Sequence, residues 1–521
     1  LFLRRLLVLN PAPGRWPFAL RAGICMAVPV LVGWLLGDTA AGLIATIGGF
    51  TALYGSGRPY LNRAGYLAVI ALSFAVAVTL GDWAAQVPAL GLVTITVIAM
   101  VAVLVCHALS VGPPGAYMFM LGCAAGTATA AAHLTPWRIG ALVVAGGAFA
   151  WLAHMAGVLW RPRGPEHAVV TAARAAVGRY LESGDGTDRH QAARALHHAW
   201  VTLVNFEPAR PRRDGTLQRL RAENHRLHRV FATAMAALDR GEPVPALDDA
   251  SFADTAPELP LGRPGNLTLL RRAVTPGSES LRLAGRVGVA VALAGAIASA
   301  LSIDHAYWAM AAAVLMLHQG FDWLRTLQRG VERLAGTWLG LGLAGLILAW
   351  HPQGLWLVAV IAVLQFTIEM FVVRNYAIAV VFITPIALTI AAGGHPVADV
   401  WHLLVARGVD TVIGCAAALL VYRIAIHRRG PAPITEAIDA TTAALAATTA
   451  HLAAGAVSTP QARADRRDLQ LRAMAMLDAY QGAVGGSAAQ REAAERLWPT
   501  VAAAEHDAYR ALAACWQLEH R

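Results

Sequence analysis

Two sets of six apolar stretches, each set followed by a polar helical segment, constrain this chain more than any other feature. The first set falls near residues 17–37, 39–55, 64–82, 89–107, 115–133 and 138–160. The second falls near 283–302, 305–319, 334–350, 354–373, 375–393 and 403–426. A helix needs about 20 apolar residues to cross the hydrocarbon core, and shorter ones are tolerated inside a bundle. Composition agrees: 57% of the 521 residues are hydrophobic and 14% charged, against roughly a quarter charged in a soluble domain. The expected fold class is all-α, a polytopic membrane bundle of two six-helix repeats, each followed by a helical cytoplasmic module.

The case for a repeat rests on landmarks in preserved order. Asp304 opens an apolar run through Leu317, and Arg325, Arg329 and Arg333 follow before the next run at Leu334. About 266 residues earlier, Asp38 opens a run through Tyr54, Arg58 and Arg63 follow, and Ala64 starts the next. Arg21 and Arg286 precede the two aspartates at nearly equal distance, Arg138 answers Arg407, and Arg163-Gly-Pro165 answers Arg429-Gly-Pro431. Transporters are often built this way, with the site between the repeats.

All 42 basic residues are arginine, and their placement sets orientation. They crowd the N-terminus (Arg4, Arg5, Arg15), the second-to-third loop, the exit from the sixth span (Arg161, Arg163), the eighth-to-ninth loop, Arg374, and the exit from the twelfth span (Arg423, Arg428, Arg429). The opposite loops hold Asp38, Asp82, Asp304 and Asp399 with little arginine. The positive-inside rule therefore predicts both termini and the central segment on the cytoplasmic side. The first run lacks a short cleavable core, so it reads as a span preceded by an interfacial helix, not a signal peptide. The chain opens on Leu1, and its natural start is expected upstream. Four regions follow: a membrane unit 1–160, a helical module 161–281, a second membrane unit 282–426 and a C-terminal module 427–521. The modules carry helical patterns near 166–182, 188–206, 216–240, 434–454, 461–482 and 487–519. Leu217, Leu220, Leu227, Val230, Phe231 and Ala234 recur at spacings suited to one packed face.

Several classes are set aside. The +10 net charge follows from topology, and no basic patch with interleaved aromatics suggests nucleic acid. Five cysteines show no paired spacing and read as packing residues. Gly340-Leu-Gly342-Leu-Ala-Gly345 spells a dinucleotide fingerprint, but it lies in an apolar helix with no preceding strand. His225, His228 and Glu223 lack the further ligands of a metal site. The sequence shows no cofactor site, no phosphate-binding loop and no nucleophile–base pair, so no enzyme is expected.

The passage His305-Ala-Tyr307-Trp308, then Arg329-Gly-Val-Glu-Arg333-Leu-Ala-Gly336-Thr337-Trp-Leu-Gly340, resembles the signature of the FUSC family, the fusaric-acid-resistance-like branch of the aromatic acid exporter superfamily. Arg407-Gly-Val-Asp410-Thr411-Val-Ile-Gly414 is similar to that family's closing motif. The layout of six spans, module, six spans, module extends the resemblance over nearly the whole chain. The resemblance implies a bacterial inner-membrane efflux protein for organic anions such as aromatic carboxylates, often working beside a periplasmic membrane-fusion partner. More distant plant relatives are dicarboxylate channels that assemble as dimers, which makes a homodimer an assembly to test. The first repeat departs from the motif, with Gly48-Gly49 in place of the aromatic passage and Arg63-Ala-Gly65 lacking the threonine.

The residues have their own reading beside the resemblance. Arg325 and Arg329 serve either as anchors that snorkel to the membrane edge or as anion contacts. Arg333 begins a span with Gly336 and Gly340 one and two turns on, a face of small residues that lets another backbone approach. An arginine so closely packed needs a carboxylate, helix-end carbonyls or a transported anion. Arg407 and Asp410 share a face of the twelfth span, where an ionisable pair is either a structural tie or functional. Asp410 is the first candidate for a coupling proton and Glu369 the second, with a headgroup-level charge as Glu369's plainer role. Asp38 and Asp304 are expected to cap the helices that follow. Tyr307 and Trp308 belong to an interfacial belt or stack an aromatic substrate. Pro385 marks the best place for a broken helix. The expected contacts for substrate are Arg333, Arg329, Arg325, Arg407, Tyr307, Trp308 and Arg63, with Gly336, Gly340 and Gly414 in helix packing. The functional expectation is a secondary transporter exporting organic anions on the proton gradient. The alternatives are a passive anion channel and a membrane scaffold whose modules bind partners.

Overall fold

The computed structural model describes residues 9–129, 134–206, 215–248, 264–303, 305–318, 323–397, 399–426, 433–484 and 488–518. Asp304, Arg4, Arg5 and the segment Arg428-Arg429-Gly-Pro431 lie outside the described residues, as does most of the Pro/Gly-rich passage before Gly265. Among the described residues the chain is helical with no strand. It divides into two compact units. The first comprises 1–56, 64–157 and 265–428, and the second 57–63, 158–264 and 429–521.

The first unit contains twelve apolar helices. In chain order they are α1 (Trp16–Leu35), α2 (Thr39–Gly49), α3 (Tyr60–Ala84), α4 (Pro88–Ala108), α5 (Tyr117–Thr129) and α6 (Pro136–Met155). After three helices of the second unit, α7 (Gly164–Ser183), α8 (Gly186–Trp200) and α9 (Gly215–Arg240), comes a short α10 (Asn266–Ala273). The second set is α11 (Glu279–Ala300), α12 (Tyr307–Leu317), α13 (Trp323–Trp350), α14 (Leu355–Phe371), α15 (Tyr376–Ala391) and α16 (Val400–Ile426). Seven of the twelve are long and apolar enough to cross a membrane, and five are shorter. Lipid-facing stripes are visible on the long ones. Val69, Leu72, Val76, Leu80 and Trp83 are exposed at helical spacing on α3, as are Leu90, Val93, Val97 and Val101 on α4. A soluble surface would not carry such continuous apolar faces. Exposed Trp34, Trp83, Trp137, Trp350, Trp356 and Trp401 sit at helix ends, the depth of a membrane–water interface. Tryptophan favours that depth because its ring is apolar and its N–H is not.

Side-chain caps set several helix starts. Asp38 accepts from the Ala41 N–H at 2.9 Å, Ser278 from Leu281 at 3.2 Å, Asn375 from Ile378 at 3.1 Å and Asp399 from His402 at 2.8 Å. One boundary departs from the sequence reading. Arg325, Arg329 and Arg333, expected in a loop and at a span's start, lie inside α13, which begins at Trp323. No proline lies between Trp323 and Leu334, and the arginine, leucine, glutamine and glutamate residues there favour a helix enough to carry Gly330.

Small residues let these helices touch backbone to backbone. A Cβ on Gly414 of α16 would lie 2.1 Å from the Ala309 carbonyl of α12, and one on Gly146 of α6 would lie 1.9 Å from the Ala45 carbonyl of α2. Pro385, expected to break its span, leaves α15 continuous. Lacking an N–H, it frees the Val381 carbonyl, which lies 2.8 Å from where a Gly340 Cβ would stand on α13. Pro29 in α1 does the same. The freed Cys25 carbonyl is 2.7 Å from the Cβ position of Gly49 on α2. The missing glycine side chains leave room for these freed carbonyls against the neighbouring helix. Across the two sets, α1 packs on α14 and α4 packs on α11.

The second unit is a bundle of α7, α8 with a π-helical turn at Val201–Asn205, α9, α17 (Pro433–Ala453), α18 (Pro460–Val484) and α19 (Ala488–Leu518). Leu217, Leu220, Leu227, Val230, Phe231 and Ala234 form the buried face of α9. They share one core with Leu469 and Ala473 of α18 and Tyr509 and Leu512 of α19. The two polar stretches therefore share a core, and Ile434, Ile438, Met476 and Val501 form a second, smaller cluster in the C-terminal stretch. Gly184 ends α7 in the left-handed conformation, and Asp185 then caps α8 through the Thr187 N–H.

Valine at position 414 is expected to destabilise the first unit by about 3 kcal/mol through overpacking. Gly342→Ala meets nothing within 4 Å and should stabilise by about 0.5–1 kcal/mol. Thermal unfolding of the detergent-solubilised protein measures both. In the second unit, burial pushes the His197 and His228 imidazoles down from 6.5 to about 4. The unfolded chain then binds more protons than the folded one between those values. The stability these neutral rings contribute is present above pH 6.5 and is lost as pH falls toward 4, by up to about 3 kcal/mol per ring. His197→Gln should flatten part of that acid limb in a pH series of unfolding midpoints.

Candidate functional site: a buried pair of guanidiniums

Arg333 lies on α13 and Arg407 on α16, well inside both helices. Their relative exposures are 0% and 1%, the two largest wholly buried side chains among the described residues. None of the three guanidinium nitrogens of either arginine has a hydrogen-bond partner, and neither do the two carboxylate oxygens of buried Asp410. The two arginines interact electrostatically with each other, and Tyr117 of α5 lies beside both. Arg407 and Asp410, one helical turn apart, feel each other's charge without forming an ion pair among the described residues. Thr411 donates back to the Arg407 carbonyl at 2.9 Å, so its hydroxyl is spent on its own helix.

Aromatic rings wall this cluster. The Arg407 guanidinium carbon is 4.0 Å from the centroid of the Trp308 ring, and Tyr307 packs on Trp308 at 5.0 Å. Both come from the head of α12, and Trp308 is 5% exposed, so these rings face the protein and not the headgroup belt. Tyr376, at the head of α15, stands beside Arg333, while Arg329 covers its ring at 4.2 Å. The Tyr307, Tyr376 and Thr337 hydroxyls and the Trp308 N–H are buried and make no hydrogen bond. Five helices thus converge on two cations, one carboxylate and four uncommitted polar hydrogens. A cation over an aromatic face gains about 2 kcal/mol when desolvated, far less than the several kcal/mol that burying an ion costs.

The remaining candidates stand elsewhere. Arg325 is exposed near the start of α13. Glu332 accepts from Gln328 at 2.7 Å and does not bond to Arg333. Glu369, on α14, is held by Arg15 at 2.9 Å and by Gln365 at 3.1 Å, so this carboxylate is engaged. Arg63 belongs to the second unit, where it covers Tyr60 at 4.6 Å and donates to the Arg58 carbonyl at 2.7 Å. Gly336 and Gly340 meet α15, and Gly414 meets α12, which brings the arginine-bearing helices close to the aromatic-bearing ones. In the first set, the position seven residues before Gly146, as Arg407 precedes Gly414, is wholly buried Ile139. The charged cluster is confined to the second set. Tyr117, Tyr376 and Thr337 were not singled out from sequence as site residues. Tyr117 is separated from Arg407 by nearly 300 residues and carries no local signal, whereas Tyr376, one turn-capping residue after Arg374, was readable as polar at a span's start.

Residues 293–421 match the sequence model of the family described as fusaric acid resistance protein-like. The matched stretch contains every member of the cluster except Tyr117. An uncharacterized membrane protein of Bacillus subtilis strain 168, YvaC, is 29% identical over 554 aligned residues, covering 97% of this chain and 86% of that protein. An uncharacterized protein of Escherichia coli K12, YhfK, is 28% identical over 172 residues, covering 32% of this chain and 23% of that one. No solved structure matches. Domain, relatives and apolar helices together make this a multi-pass membrane protein.

The Arg15–Glu369 pair is structural in this geometry, and Glu369→Gln should cost about 2–3 kcal/mol, reduced from a fully buried pair because Arg15 is a quarter exposed. A double-mutant cycle with Arg15→Ala, read by unfolding midpoints, should show strong coupling; additive losses would refute the pairing.

Proposed function

We propose that the protein is a secondary transporter of the bacterial inner membrane that exports organic anions, aromatic carboxylates foremost, on the proton gradient. The observation that carries this reading is the pair Arg333 and Arg407, wholly buried, close in charge and without hydrogen-bond partners. Guanidinium presents a planar fork that matches a carboxylate. Two forks of one sign relieve each other only when an anion lies between them. Trp308, Tyr307, Tyr117 and Tyr376 offer ring faces to an aromatic substrate, and the free hydroxyls offer hydrogen bonds to its substituents. Ionisable groups inside a membrane bundle commonly mark a substrate or ion path.

Asp410 is the proton-responsive group in this reading, since its two oxygens are uncommitted while Glu369 is bound by Arg15. The electrical part of the proton-motive force also favours outward movement of an anion, by about 2.3 kcal/mol per charge per 100 mV. The two sets of helices are read as repeats, supported by the crosswise packing of α1 on α14 and α4 on α11. Both termini and the second unit are placed in the cytoplasm on the arginine bias. A passive anion channel is the second reading, favoured by the engagement of Glu369, which leaves Asp410 as the cluster's sole carboxylate among the described residues.

The test is uptake of labelled benzoate and of aliphatic carboxylates into inside-out vesicles, with and without a proton gradient. Arg333→Ala and Arg407→Ala are each expected to lower uptake at least about tenfold, as for truncation of a buried charge contact. Equal uptake by wild type and Arg333→Ala sinks the transport reading. Asp410→Asn should remove the dependence on the pH difference; if flux and its pH profile survive that change, the channel reading replaces the coupled one.

A further inference from the structure

The second unit holds a separate cavity of about 50 Å³ between α8, α9, α18 and α19. Its wall carries Arg463, Arg466, Arg467, His228, Tyr509 and Trp516, and no carboxylate is among the side chains that line it. Trp516 organises the wall. The Arg466 guanidinium lies 4.8 Å from its ring centroid, and the His228 ring lies 5.0 Å away. Three guanidiniums therefore stand on one wall of the cavity, each a planar donor group suited to a carboxylate.

Two neutral groups in the same wall are unspent. His228 is 7% exposed, and its Nδ1 lies 2.9 Å from the Asn224 carbonyl one turn earlier in α9. That contact assigns the proton to Nδ1 and leaves Nε2 as an acceptor, and Nε2 has no partner. Burial holds this ring neutral, with its pKa lowered to about 4. Tyr509 is 4% exposed, its hydroxyl is likewise unpartnered, and burial pushes the phenol up so that it keeps its proton. Buried polar atoms are nearly always satisfied in native proteins, so two orphans beside one cavity call for an occupant.

We propose that this cavity is a ligand site for a compact hydroxycarboxylate, of the size of glycolate. The carboxylate meets the arginine wall, the ligand hydroxyl donates to His228 Nε2, and the Tyr509 hydroxyl donates to a ligand oxygen. Size sets the upper limit. A cavity that takes benzene measures about 150 Å³, three times this one, so an aromatic carboxylate is excluded here even though it suits the membrane cluster. The site is independent of the proposed transport path and shares no residue with it.

The test is calorimetric titration of the full-length protein in nanodiscs with glycolate, acetate, benzoate and inorganic phosphate, one at a time. Glycolate should bind saturably and at least tenfold more tightly than acetate, which has no hydroxyl for His228. Benzoate heat should disappear in Arg333→Ala, whereas glycolate binding should persist in that variant. Arg466→Met should weaken glycolate at least tenfold, and His228→Phe should equalise glycolate and acetate. Tyr509→Phe, which preserves the ring packing against Phe231, should weaken glycolate severalfold and guards against a misfolded Arg466→Met. Absence of saturable glycolate binding overturns the proposal, as does glycolate binding that Arg466→Met and Tyr509→Phe leave unchanged or that Arg333→Ala abolishes. Phosphate binding more tightly than glycolate overturns the assignment to a carboxylate.

Discussion

An arginine stripped of water and left without hydrogen bonds is among the most costly arrangements a protein interior can contain, and this one contains two, side by side. Everything else in the first unit is arranged so that they stay there. Glycines on α13 and α16 bring those helices against α15 and α12, and those two helices deliver the rings of Tyr376, Tyr307 and Trp308. Remove the glycines and the backbones separate by the width of a side chain. Water then reaches the guanidiniums, and their demand for an anion falls.

The two halves of the membrane unit divide labour. In the second set, charge and aromatic rings meet at the helix crossing. The first set contributes apolar packing instead, with Leu67 and Ile139 wholly buried and the stacked rings of Phe74 and Phe119 4.8 Å apart. These apolar contacts give the bundle a stable core against which the polar cluster can be held.

Much of this was legible in the sequence because hydrophobic runs and arginine placement are strong local signals. The twelve helices fall where the apolar runs are, and the face of α9 follows its three-and-four spacing. Arg333, Arg407 and Asp410 stood out because ionisable residues inside apolar runs are rare. Other features could not be read. Whether Glu369 was free depended on Arg15, more than 350 residues away, and no spacing rule links them. Tyr117 joined the cluster through tertiary packing alone. The start of α13 was misjudged because a charged segment looks like a loop when hydropathy is the guide, although its residues are good helix formers. Pro385 looked like a break, yet a facing glycine accommodates the freed carbonyl and the helix continues.

The length of α12 carries a consequence for hydration. Eleven residues rise only about 16 Å, roughly half the thickness of the hydrocarbon layer, and nearly every side chain along it is buried. A helix of that length cannot carry its terminal N–H and C=O groups from one face of such a layer to the other, and lipid tails offer those groups nothing. At least one end of so short a span is tolerable only beside polar protein groups or water.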